Sequence, residues 1–84
     1  MKSINLGRKA NYLFEILCQN QELTIKLKTY FRLCEIVIYY EEKESNLSLL
    51  LAYKLISWFH TLSPSHRVHF SKFKNNLITR VSFF

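Results

Sequence analysis

Glycine and proline occur once each in the 84 residues, at Gly7 and Pro64, and aspartate does not occur at all. An all-β domain needs turn residues at every corner, so this scarcity excludes it and favours long helices. The six carboxylates are all glutamate, and three of them fall within the EEKE run at 41–44. No glycine-rich loop is present to hold a phosphate, and a Ser-His-Asp triad has no aspartate to draw on. Two cysteines, Cys18 and Cys34, are too few for a disulfide-dense secreted domain. Both stand among apolar residues at positions a helix would bury. They read as reduced core thiols of a cytoplasmic protein.

Long apolar runs are also missing. The longest, Leu47–Phe59, carries Lys54 and falls short of the roughly 20 residues of a membrane span. Lys2, Arg8 and Lys9 precede the apolar stretch Ala10–Cys18, as in a signal segment. Glu15 interrupts that stretch, and no small-residue cleavage site follows. Bulky Leu17 argues against lipidation at Cys18. Ile, Asn, Lys, Tyr and Phe make up 33 residues, against eight of Gly, Ala, Arg and Pro. AT-rich codons specify the first group, which fits a phage, plasmid, acquired island or AT-rich organism.

Negative charge is missing from one half of the chain. The net charge is +6. Residues 1–44 hold seven Lys/Arg against six Glu; residues 45–84 hold Lys54, Arg67, Lys72, Lys74 and Arg80 against none. Such asymmetry points to a polyanionic partner, or to a solvated basic face that keeps a small protein dispersed.

What is present is helical periodicity. Asn46–Leu62 is the stretch around which the chain organises itself. Leu47, Leu51, Leu55, Trp58 and Leu62 form one row, with Leu49, Ala52, Ile56 and Phe59 beside it. Only Asn46, Tyr53, Lys54, Ser57, His60 and Thr61 remain as a polar arc, so this helix must be covered on most sides. Ahead of it, Gly7–Cys18 reads as a helix with Leu6, Ala10, Leu13, Phe14 and Leu17 on one face, after a frayed start. Asn20 is placed to cap the next helix.

Glu22–Glu42 carries two apolar rows. One is Leu23, Leu27, Tyr30, Cys34 and Val37. The other is Ile25, Thr29, Leu33, Ile36 and Tyr40. The second row needs a cover, supplied by the first helix or by a second copy of the chain. The β-rich run Leu33–Tyr40 reads as helix all the same, because the period continues unbroken from Leu23 and no partner strand is evident. The acidic turn at 41–44 suits the positive end of the following helix, with Ser45 or Asn46 as cap. Pro64 with Ser63 before it opens a last helix to Val81, striped by Phe70, Phe73, Leu77 and Val81. Phe83 and Phe84 end the chain, tucked in or offered to a partner.

His66 and His69, three apart, supply zinc ligand types together with Cys18 and Cys34. A structural site draws its cysteines from one tight loop, and these are sixteen residues apart on different helices. No metal and no cofactor is assigned. Both cysteines sit on apolar stripes, where a thiolate nucleophile is disfavoured, so no catalytic residue is assigned and the chain reads as non-enzymatic. Two helices joined by the short Thr61–Ser63 turn have the order of a helix-turn-helix, without the glycine often found in its turn. Lys72 and Arg80 fall on the outer side of the second helix with His69 and Asn76, while Arg67 and Lys74 flank its apolar stripe. Flanking cations also suit a helix lying on a membrane or in a partner's groove.

The sequence therefore predicts one all-α domain over residues 1–84, with three or four helices around 46–62. The leading expectation is a small regulator that contacts nucleic acid through Arg67, His69, Lys72, Lys74, Asn76 and Arg80. The alternative is a protein-binding module — an inhibitor, adaptor or secretion chaperone — that docks on an acidic or apolar partner. Its face, or that of a homodimer, would be Ile25, Leu33, Ile36, Tyr40, Phe83 and Phe84. Peripheral membrane contact is a third reading.

Overall fold

The computed structural model describes residues 2–43 and 45–81, with residues 2–6, 45 and 81 described by backbone only. Glu44, Phe83 and Phe84, and the side chains of Leu6, Ser45 and Val81, lie outside the described residues. The architecture is an all-α bundle of four helices: α1 Lys2–Gln19, α2 Leu23–Tyr40, α3 Ser45–His60 and α4 Pro64–Val81. α1 begins five residues before the expected Gly7. Leu33–Tyr40 is helical, as its unbroken period requires. No described helix is long and apolar enough to cross a membrane.

The helix ends follow local chemistry. The Asn20 amide N–H closes α1 on the Ile16 carbonyl, 3.0 Å away. Its side-chain oxygen accepts from the Glu22 N–H at 3.2 Å, bending the chain as an Asx turn. Asn20 is therefore a turn residue, and Glu22 stands at the start of α2 with extended backbone and no side-chain cap. At α4 the Ser63 carbonyl accepts from the His66 and Arg67 N–H groups, both at 3.0 Å. The proline that follows has no N–H to strand, which is why it suits that position.

α3 buries what its period predicts: Leu51, Ala52, Leu55 and Phe59 are in the core, and Leu47, Ile56, Trp58 and Leu62 pack on it. Its polar arc is exposed. The hub of the bundle, however, is α2, which packs against α1, α3 and α4 alike. α3 packs on α2 and α4, and meets α1 through the Lys54 ammonium, 4.8 Å above the Phe14 ring. The reason lies in the two apolar rows of α2, which let it accept neighbours on two sides. α1 is the cover of the second row: Ala10, Leu13 and Leu17 join Leu33 in one core.

Tyr30 fixes the junction of α2, α3 and α4. Its ring lies 5.5 Å from Trp58 and 5.3 Å from Phe70, centroid to centroid, the latter edge-on. Edge-on contacts place the positive rim of one ring on the negative face of the other. Its hydroxyl donates to the Leu55 carbonyl at 3.3 Å. A second polar link binds the same helices. The Glu41 N–H turns to Ile38, so the carbonyl of Val37 accepts a hydrogen bond from the buried Ser48 hydroxyl at 2.8 Å. A carbonyl at a helix end that is buried without a partner would be costly, and Ser48 removes that cost.

These contacts set an order of stabilities. Tyr30→Ala is expected to cost about 3–5 kcal/mol, as large-to-small changes of buried aromatics do. Tyr30→Phe keeps the ring and should cost only about 1 kcal/mol. Ser48→Ala should cost about 1–3 kcal/mol, because it orphans a buried carbonyl. Denaturant melts measure all three. A Ser48→Ala chain with the wild-type midpoint would refute the role given to that hydroxyl.

Candidate functional site

α4 is built from the Ser63–Pro64 start, and its period turns Phe70 and Leu77 inward to the α2–α3 junction. The opposite face is left to solvent. His69, Lys72, Asn75, Asn76 and Thr79 are all exposed there, as is Val68. Four of the five polar residues carry a hydrogen-bond donor free for a partner in at least one protonation state; Thr79 spends its hydroxyl on the Asn75 carbonyl at 3.0 Å. His69, Lys72 and Asn76 of the sequence-derived set are thus brought onto one surface. Asn75 and Thr79 belong to it too, and their spacing of three and seven from Lys72 is the signal that identifies them.

The other three members of that set are held by the protein itself. The Arg67 guanidinium donates to the His60 carbonyl at 3.1 Å, supplying a cation to the carbonyl end of α3. Its Nε is buried with no partner among the described residues. The Lys74 ammonium stands 4.8 Å from the Phe59 ring centroid. Both cations therefore support packing between α3 and α4, in keeping with their place beside the apolar stripe. Arg80 reaches back to α2 and pairs with Glu41 at 3.2 Å. That pair is half-exposed, and surface pairs of this kind are worth under about 1 kcal/mol. Arg80 can leave it for a better anion.

The expected partner face on α2 is divided. Leu33 is fully buried, so it belongs to the core. Ile25, Ile36 and Tyr40 are half-buried beside α1. The apolar surface that α2 does offer lies one step round: Phe31, Ile38 and Tyr39 are 46%, 39% and 61% exposed. Two open grooves of about 700 and 580 Å³ share Leu13, Phe31, Arg32 and Glu35 as a common wall. Ile36 and Tyr40 of the expected face line the first groove and Ile25 the second; Phe31, Ile38 and Tyr39 fell outside the expected set, because it followed a single apolar row.

No three of the His, Cys and Glu side chains among the described residues gather as metal ligands. Cys34 is buried as expected, whereas Cys18 is exposed at the end of α1. Its neighbour Leu17 takes the buried position. Comparison with protein-family models, with curated proteins and with solved structures finds no match to this chain.

Burial, reinforced by the charge of Glu35, pushes the Cys34 thiol up from 9.0 to about 12. Burial likewise holds the Tyr30 phenol above its usual range. A raised folded pKa means the unfolded chain gives up its proton first. The Cys34 contribution is whole below about pH 9 and is lost as pH rises toward about 12. Stability should therefore fall across that alkaline window, and Cys34→Val should flatten its lower part. A thiol reagent should label Cys18 in the native protein and Cys34 only on unfolding. Two thiols labelled at equal rates in the folded chain would contradict this placement.

Proposed function

We propose that the chain is a small non-enzymatic regulatory protein that contacts nucleic acid through the outer face of α4. One observation carries this reading: the exposed face of α4 presents His69, Lys72, Asn75 and Asn76, with no carboxylate anywhere on α3 or α4. Lysine, asparagine and histidine are the groups that bind phosphate oxygens and base edges. Arg80, loosely held by Glu41, can join them. Arg67 and Lys74 are structural supports of the α3–α4 pair and lie outside the contact set. Peripheral membrane contact has less to rest on, because these two cations turn inward to His60 and Phe59. Docking of a foreign protein is the second reading, supported by the exposure of Phe31, Ile38 and Tyr39.

Two phosphate contacts per chain give a salt slope of about −2, hence roughly tenfold weaker binding from 50 to 200 mM salt. Lys72→Gln should lower that slope by about one unit without changing the melting temperature. Arg67→Gln and Lys74→Gln should do the reverse, leaving the slope and lowering the melting temperature. The measurement is fluorescence titration of labelled duplex and single-stranded DNA at several salt concentrations, alongside thermal melts. The reading fails if no binding is seen at low salt, or if Lys72→Gln leaves the slope unchanged.

A further inference from the structure

The outermost row of α2 and the turn after it is Lys28, Arg32, Glu35, Tyr39 and Glu42, at alternate spacings of four and three. All five are exposed. Their charges run plus, plus, minus, then minus beyond Tyr39. Arg32 and Glu35 are within one turn of each other, yet no ion pair joins them, and neither finds a partner elsewhere among the described residues. Phe31 and Ile38 flank the row on one side, and the two grooves lie along it. A face of unpaired opposite charges bordered by exposed aromatic and aliphatic side chains is unfinished.

We infer that a second copy of this chain completes it, with the two α2 helices crossing antiparallel about a two-fold axis. The order of charges selects this occupant. Reversal of a plus-plus-minus-minus row sets its cationic end opposite its acidic end, and only an antiparallel copy reverses it. With the axis between Leu33 and Cys34, Arg32 meets Glu35 of the second copy, and by symmetry the pair occurs twice. Lys28 falls opposite Tyr39 of that copy, whose hydroxyl already accepts from Lys43 at 3.0 Å, so the two Arg32–Glu35 pairs carry the complementarity. Phe31 meets the border of the opposite groove, at Ile36. The ridge of one α2 thus enters the groove beside the other. A wholly acidic partner would satisfy Lys28 and Arg32 but would face Glu35 and Glu42 with like charge. This interface is independent of the α4 surface.

The test uses reciprocal charge reversal and sedimentation. Wild-type chain should be dimeric at micromolar to near-millimolar concentration. Arg32→Glu alone, or Glu35→Arg alone, turns both symmetric pairs into like charges and should raise the dissociation constant roughly a hundredfold. Circular dichroism should show unchanged helix content, since both positions are exposed. An equimolar mixture of the two single variants should then form a heterodimer, and the double variant should dimerise with itself. A general loss of folding cannot produce that rescue. As a second measurement, in a Cys18→Ser background, chains bearing Arg32→Cys and Glu35→Cys should cross-link to each other faster than either does to itself. A wild-type monomer throughout the concentration range overturns the inference and leaves the face to a protein of another sequence. So do single variants that remain dimeric, or a mixture that fails to associate.

Discussion

The junction of α2, α3 and α4 depends on the Tyr30 ring. The ring fills the space where α2, α3 and α4 converge, against Trp58 and Phe70. The hydroxyl adds a weaker restraint, a long 3.3 Å hydrogen bond to the Leu55 carbonyl. Apolar contact alone is non-directional and would allow many registers of one helix on another. A buried hydroxyl with a single backbone acceptor allows few. Ser48 repeats the device one helical end away, on the Val37 carbonyl. Two polar links within an apolar seam thus fix α2 on α3, and α4 is seated by the aromatic cluster they hold in place.

Helix positions and buried faces were readable because they follow from local periodicity. Leu51, Leu55, Phe59, Phe70 and Leu77 are buried where a period of 3.6 puts them. The neighbour that covers each face was not readable, because that depends on how helices far apart in the chain are arranged. Leu33 is the clear case. Its row looks like surplus surface in the sequence, and α1 covers it in the bundle. The same limit hid the Arg80–Glu41 pair, whose members are 39 residues apart, and the inward turn of Lys74 onto Phe59. Cys18 shows a finer limit. One residue of rotation separates it from Leu17, which takes the place on the buried face with Ala10 and Leu13.

The candidate surface on α4 was legible in part for the same reason. Absence of acidic residues after Glu44 is a property of sequence alone, and so is the helical phase that joins His69, Lys72 and Asn76. The sequence could count cations but could not tell which were already engaged. Of Arg67, Lys72, Lys74 and Arg80, only Lys72 has no partner among the described residues. A net charge of +6 therefore overstates what a polyanion would meet on this face. Cations that serve packing, as Arg67 and Lys74 do, contribute long-range attraction but little local contact.

That arithmetic links the two proposed surfaces. One copy of α4 offers Lys72 and a loosely tethered Arg80, enough for only the modest salt slope of two contacts. A two-fold axis doubles every contact without a new residue, as in dimeric helix-turn-helix proteins. The α2 face lies on a different helix from the α4 face, so occupation of one leaves the other open. A copy bound through Arg32 and Glu35 would carry its own Lys72 and Arg80, so the assembly would hold four such cations in place of two. The α2 row is then more than an unfilled surface. On the two proposals together, pairing through α2 would raise the number of free cations that the assembly carries.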